Sequence, residues 1–171
     1  MKTVNRLLVA ESVTEPPVPV ERIARSLGAV VSYQPFDADD ISGLLYRAPD
    51  SAPIIGVNSA NAKVRQRFTI AHELGHLLLH NAYGLILERH LQINFRDAAR
   101  STASSQEEIE ANQFAAEMLM PRELLQRALT ALLAGRPVPD SELVMRLAGR
   151  FEVSRQAMEY RLASLGMLTP S

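Results

Sequence analysis

The sequence predicts an α+β protein, a small antiparallel sheet packed on helices, one of which carries the string His72-Glu73-Leu74-Gly75-His76. Three observations carry this expectation. Between residues 29 and 57, three short β-favouring runs are separated by Pro, Asp, Ser and Gly. Residues 61–80 and 106–134 repeat their apolar side chains at helical spacing. The chain has 171 residues, 47% hydrophobic and 22% charged, which suits one core with a small appendage.

In chain order, residues 3–12 form a short helix, ended by Glu15-Pro16-Pro17-Val18-Pro19 because proline removes donors and restricts its neighbours. Residues 20–27 form the next helix, with Val20, Ile23, Ala24 and Leu27 on one face and Gly28 as its stop. Residues 29–33, 41–46 and 54–57 are three strands of one antiparallel sheet, which needs a helix against one face to be stable. Across residues 61–80, Phe68, Ile70, Ala71, Leu74, Leu77 and Leu78 make a broad apolar stripe uninterrupted by proline.

Residues 82–105 are less regular, and 101–105 are rich in Ser and Thr. Ile109, Phe114, Ala115, Met118 and Leu119 define a helix over 106–120, and Pro121 separates it from another over 122–134. Pro137-Val138-Pro139 reads as a linker, dividing a core of residues 1–135 from a helical subdomain of residues 136–171 packed on it. Ser141, with Asp140 as rival, caps a helix through Arg150, and Ser154 caps a last helix through Leu165.

Composition excludes several classes. With no cysteine, disulfides and thiolate-held zinc are ruled out, so a transition-metal site must use His, Asp and Glu. A net charge of −1 argues against broad electrostatic binding to nucleic acid. Lys2, Asn5, Arg6 and Glu11 interrupt the N-terminal apolar residues, unlike a signal-peptide core, and no apolar run is long enough to span a bilayer. A cytoplasmic location is expected.

The chemistry concentrates at residues 72–76. Helical residues four apart lie about 40° apart around the axis and about 6 Å along it, so the His72 and His76 imidazoles can converge on one ion. Glu73 then points beside the ion, where a general base acting on water belongs. The competing reading is a helix with satisfied surface histidines. Against it, three titratable groups among Ile70, Ala71, Leu74, Leu77 and Leu78 would be costly to bury without a partner, and a cation supplies one.

A third ligand is needed. His80 lies about 12 Å along the helix from His72 and is too far for the same ion, which leaves it a structural or supporting role. The helix over 106–120 offers Glu108, with Asn112 four residues later on the same face to hold a ligand imidazole. Ala111 and Ala115 near that face permit close approach. The acidic preference of helix N-termini explains Glu107 and Glu110 equally well, and competes for Glu108.

At this point the sequence resembles the ImmA/IrrE family of bacterial metallopeptidases. The resemblance rests on residues 67–80, RFTIAHELGHLLLH, and on residues 108–121, EIEANQFAAEMLMP. Residues 19–24, the Ile41-Ser42-Gly43 strand and Phe151-Glu152-Val153-Ser154 are similar too, so most of residues 17–167 is covered. The resemblance implies zinc held by His72, His76 and Glu108, Glu73 as catalytic base, and a thermolysin-like minimal core. It also implies cleavage of a partner transcriptional repressor of the Xre type, or a toxin paired with an Xre-type antitoxin. Manganese and iron suit the same donors. Some family members carry an N-terminal helix-turn-helix domain, for which there is no room before residue 17.

The expected reaction is peptide hydrolysis, with an added substrate strand received near residues 41–46 and the oxyanion held by His90, Tyr46, Tyr83 or Arg96. A competing class is a DNA-binding regulatory module. Residues 141–165 resemble a helix-turn-helix, with Arg146, Arg150, Arg155 and Arg161 available to phosphates; the low overall charge disfavours it.

Overall fold

The structure, a computed structural model, describes residues 2–36, 41–80, 84–89, 103–134 and 138–168. The chain falls into two compact units, one of Val20–Ala115 and one joining Met1–Pro19 to Ala116–Ser171.

The first unit contains α2 (Val20–Ser26), β1 (Val30–Gln34), β2 (Ile41–Arg47), β3 (Ile54–Asn58), α3 (Lys63–Leu79), β4 (Gly84–Arg89) and most of α4 (Ala103–Leu119). Helix α2 ends where expected, with Gly28 taking φ +83°, a conformation that glycine adopts without Cβ strain. The α+β class is as the sequence predicts, but the sheet is mixed rather than antiparallel. Its order is β1-β3-β2-β4, with β1 parallel to β3 and the other pairs antiparallel. Strands β1 and β2, consecutive in sequence, are not neighbours in the sheet because β3 lies between them, and local periodicity carries no information about such a skip. Strand β4 lies inside the segment read as irregular.

One face of this sheet is dry. Val31, Ile55 and Leu45 are cross-strand partners and all are buried. Helices α2 and α3 lie against the sheet, α3 on β2 and β3. Because side chains alternate along a strand, the neighbouring row of Val30, Ile54, Tyr46 and Leu85 faces the other way and is exposed.

Two polar contacts fix the beginning of β2. A register shift between Ile41 and Gly43 leaves Ser42 bulged and buried, and Arg65 of α3 donates to its Oγ through Nε at 3.2 Å and Nη2 at 2.8 Å. Asn58 Nδ2 donates to Ile41 O at 3.0 Å, while Asn58 Oδ1 accepts from the Ala60 amide at 3.0 Å.

The second unit is helical. It holds α1 (Lys2–Ala10), the end of α4, α5 (Arg122–Leu133), α6 (Asp140–Phe151) and α7 (Arg155–Ser164). Leu147, Phe151, Met158 and Leu162, recurring at helical spacing, are fully buried. Arg127 Nη2 donates to Thr14 O at 2.9 Å, tying the N-terminal segment to α5. The expected side-chain caps of α6 are not used. Pro139 occupies the N-cap and Asp140 and Glu142 sit in the first turn, where their charge favours the helix dipole. Ser154 does cap α7, its Oγ accepting from the Ala157 amide at 3.1 Å. No helix among the described residues is long and apolar enough to cross a membrane.

Candidate metal centre

Helix α3 supplies two of the three donors. His72 and His76, one turn apart, are buried and bring their Nε2 atoms to 3.0 Å. Helix α4 supplies the third. Glu108 Oε2 lies 3.4 Å from His72 Nε2, and Oε1 lies 3.2 Å from His76 Nε2. These residues form a group able to hold a metal ion.

The donor set passes a geometric test. Tetrahedral zinc with bonds of about 2.0–2.1 Å places neighbouring ligand atoms about 3.3–3.4 Å apart. The separations of 3.0, 3.2 and 3.4 Å fall close to that value. Glu108 Oε2 is also buried without a hydrogen-bond partner among the described residues, an arrangement that a cation would relieve. Burial pushes the Glu108 carboxyl upward, but the adjoining His72 and His76 imidazoles outweigh it and hold the pKa at about 2. A carboxylate ionised at neutral pH beside two imidazoles suits a divalent ion.

The close approach of α4 to α3 has a specific cause. A Cβ built on Gly75 would lie 2.9 Å from Ala111 Cα and 3.2 Å from Ala111 O. Only glycine at position 75, opposite a small residue at 111, lets Glu108 come within reach. One turn beyond Glu108, Asn112 Oδ1 lies 3.1 Å from His72 Nδ1. When Nδ1–H donates to that oxygen, His72 Nε2 keeps its lone pair for an ion.

Glu73 is wholly buried on α3, immediately after His72. His80 is not one of the three residues whose donors converge. It leaves α3 in an extended C-cap conformation, and its ring reaches back so that Nδ1 lies 3.1 Å from His76 Nδ1. Its Nε2 lies 3.2 Å from Glu110 Oε2. Sequence reasoning missed Glu110, assigning it to the helix dipole. The only available signal was that a buried His80 would need a partner.

Two expectations are corrected. Tyr46 cannot reach the centre, because it sits in the exposed row opposite buried Leu45 while α3 covers the other face. Strand β2 cannot receive an added strand either, since β3 and β4 already pair with its two edges. Tyr83, His90 and Arg96 lie outside the described residues.

Comparison with known proteins identifies the family. The family model described as Peptidase_M78, IrrE N-terminal-like domain, matches residues 24–163, and the chain belongs to that family. Membership supports a metallopeptidase-like or regulatory role. Among solved structures, a Mycobacterium tuberculosis transcriptional regulator is similar at 18% identity with a TM-score of 0.61, over 95% of this chain and 45% of that one. At that identity the likeness is one of fold, and this chain spans less than half of the regulator's length. None of the curated proteins matches.

Proposed function

We propose that the protein is a zinc-dependent endopeptidase that cleaves a partner repressor of the Xre type. The observation that carries the reading is the convergence of His72, His76 and Glu108 donors within 3.0–3.4 Å, with Glu73 buried beside them. When bound, the cation supplies Lewis-acid polarisation of the scissile carbonyl and a lowered pKa for water. Glu73 takes the proton from the attacking water and delivers it to the leaving amine. Asn112 orients the His72 ring, and Glu108 supplies the third donor. The substrate class rests on the family resemblance; a toxin neutralised by an Xre-type antitoxin would use the same centre.

The test is co-expression with any Xre-type regulator encoded beside this protein's gene, following its cleavage by mass spectrometry. Glu73→Gln should lower cleavage about 10²–10⁴-fold while zinc content stays at the wild-type level. Full activity in that variant would overturn the assignment.

The DNA-binding reading gains little from the arginines. Arg146 pairs with Glu142, Arg155 pairs with Glu159 at 2.7 Å, and Arg161 Nε donates to Met120 O at 3.1 Å.

A further inference from the structure

We propose that Glu110 and His80 form a proton-ordering relay that fixes the tautomer of His76, making both of them positioning residues for the metal centre. The inference rests on His72, His76 and Glu108 holding a metal ion.

The relay follows from counting protons along one line of contacts. Glu110 Oε2 lies 3.2 Å from His80 Nε2, His80 Nδ1 lies 3.1 Å from His76 Nδ1, and His76 Nε2 faces Glu108 Oε1 at 3.2 Å. An ionised carboxylate only accepts hydrogen bonds, so His80 presents Nε2–H to Glu110. A neutral imidazole carrying its proton on Nε2 has a lone pair on Nδ1. His80 Nδ1 therefore accepts, and His76 must donate its Nδ1–H. That leaves the His76 Nε2 lone pair free for the cation, the one arrangement in which His76 can be a ligand. The opposite His80 tautomer would set two protons against each other between the Nδ1 atoms unless His76 moved its proton to Nε2, which would remove the lone pair the cation needs.

The surroundings hold this line in place. His80 is buried, its amide donates to His76 O at 3.1 Å, and Arg47 Nη1 donates to His80 O at 2.6 Å. Gln106 Nε2 donates to the other Glu110 oxygen at 2.9 Å. The two ligand histidines are thus oriented by different means, His72 by a neutral amide on α4 and His76 through a second imidazole to a carboxylate on the same helix.

The experiment measures Zn²⁺ affinity by competition with a chromophoric chelator, and histidine tautomers by long-range ¹H–¹⁵N correlation spectra of the zinc-loaded protein. In the wild type, protons are expected on Nδ1 of His72 and His76 and on Nε2 of His80. His80→Leu should weaken zinc binding about 10–100-fold. His80→Asn, whose side-chain oxygen can stand where Nδ1 stood, should recover most of that loss. Glu110→Gln, whose amide can donate or accept, should leave His80 in mixed tautomers and weaken zinc binding by a smaller factor. A proton on His80 Nδ1 in the zinc-loaded wild type would refute the relay, and that spectrum decides even if His80→Leu fails to fold. Wild-type affinity in both His80→Leu and Glu110→Gln would refute it while leaving the metal centre intact. Failure of the wild type to bind Zn²⁺ would instead remove the metal reading on which the relay depends.

Discussion

Replacing Gly75 with alanine tests whether the packing of α4 on α3 sets the metal centre. The added Cβ would lie 2.9 Å from Ala111 Cα, 3.2 Å from Ala111 O and 3.3 Å from Ala111 Cβ. Carbon atoms pack comfortably at about 3.5–4.0 Å, so α4 must retreat by roughly 0.6–1.1 Å. The two nearest atoms are backbone, and a rotamer change cannot relieve them. Alanine gains about 1 kcal/mol of helix propensity over glycine, and overpacking costs about 1–3 kcal/mol. The net destabilisation should therefore be about 0–2 kcal/mol, a shift of a few degrees in a thermal melt.

The metal centre should suffer far more. Glu108 is three residues from Ala111 on the same helix and moves with it. A site tolerates ligand displacements of about 0.2 Å, several times less than the retreat. Zinc affinity, read by chelator competition, should fall by at least about 10–100-fold, the loss usual even for supporting residues. Adding Ala111→Gly should restore only part of it, because that change removes the 3.3 Å contact and leaves the two shorter ones. Wild-type zinc affinity in Gly75→Ala would refute the reasoning.

Other outcomes follow from the same geometry. Zinc at a hundredfold its dissociation constant should stabilise the wild type by about 2.7 kcal/mol, and Glu108→Ala should show little of that rise in melting temperature. In the chelator-treated protein, Glu108 is held at about 2 against an ordinary 4.5, so its contribution to stability is present above about pH 4.5 and fades as pH falls toward 2. A carbon-13 carboxyl titration that finds Glu108 protonating near 4.5 would contradict this. Leu147→Ala, in the core of the helical unit, should cost about 2–5 kcal/mol in denaturant unfolding. Ser154→Ala removes the hydroxyl that caps α7 and should cost about 1 kcal/mol by the same measurement.

The sequence by itself determined the local half of the candidate metal centre. His72 and His76 are one helical turn apart, and the turn repeat alone carries their imidazoles to the same side. The same repeat paired Glu108 with Asn112. Helix boundaries near Gly28 and Pro121 were also legible, because glycine and proline act through their own backbone. What only the tertiary structure decided was every choice between distant segments. The parallel pairing of β1 with β3, the recruitment of β4, and the exposure of Tyr46 depend on which strand edges and faces meet. Glu110 could not be told from a dipole-favouring acid until the turn at His80 brought the imidazole ring to it. The fit of Gly75 against Ala111 is likewise a property of two helices together. Periodicity states which side of an element is apolar; it does not state what lies across from it.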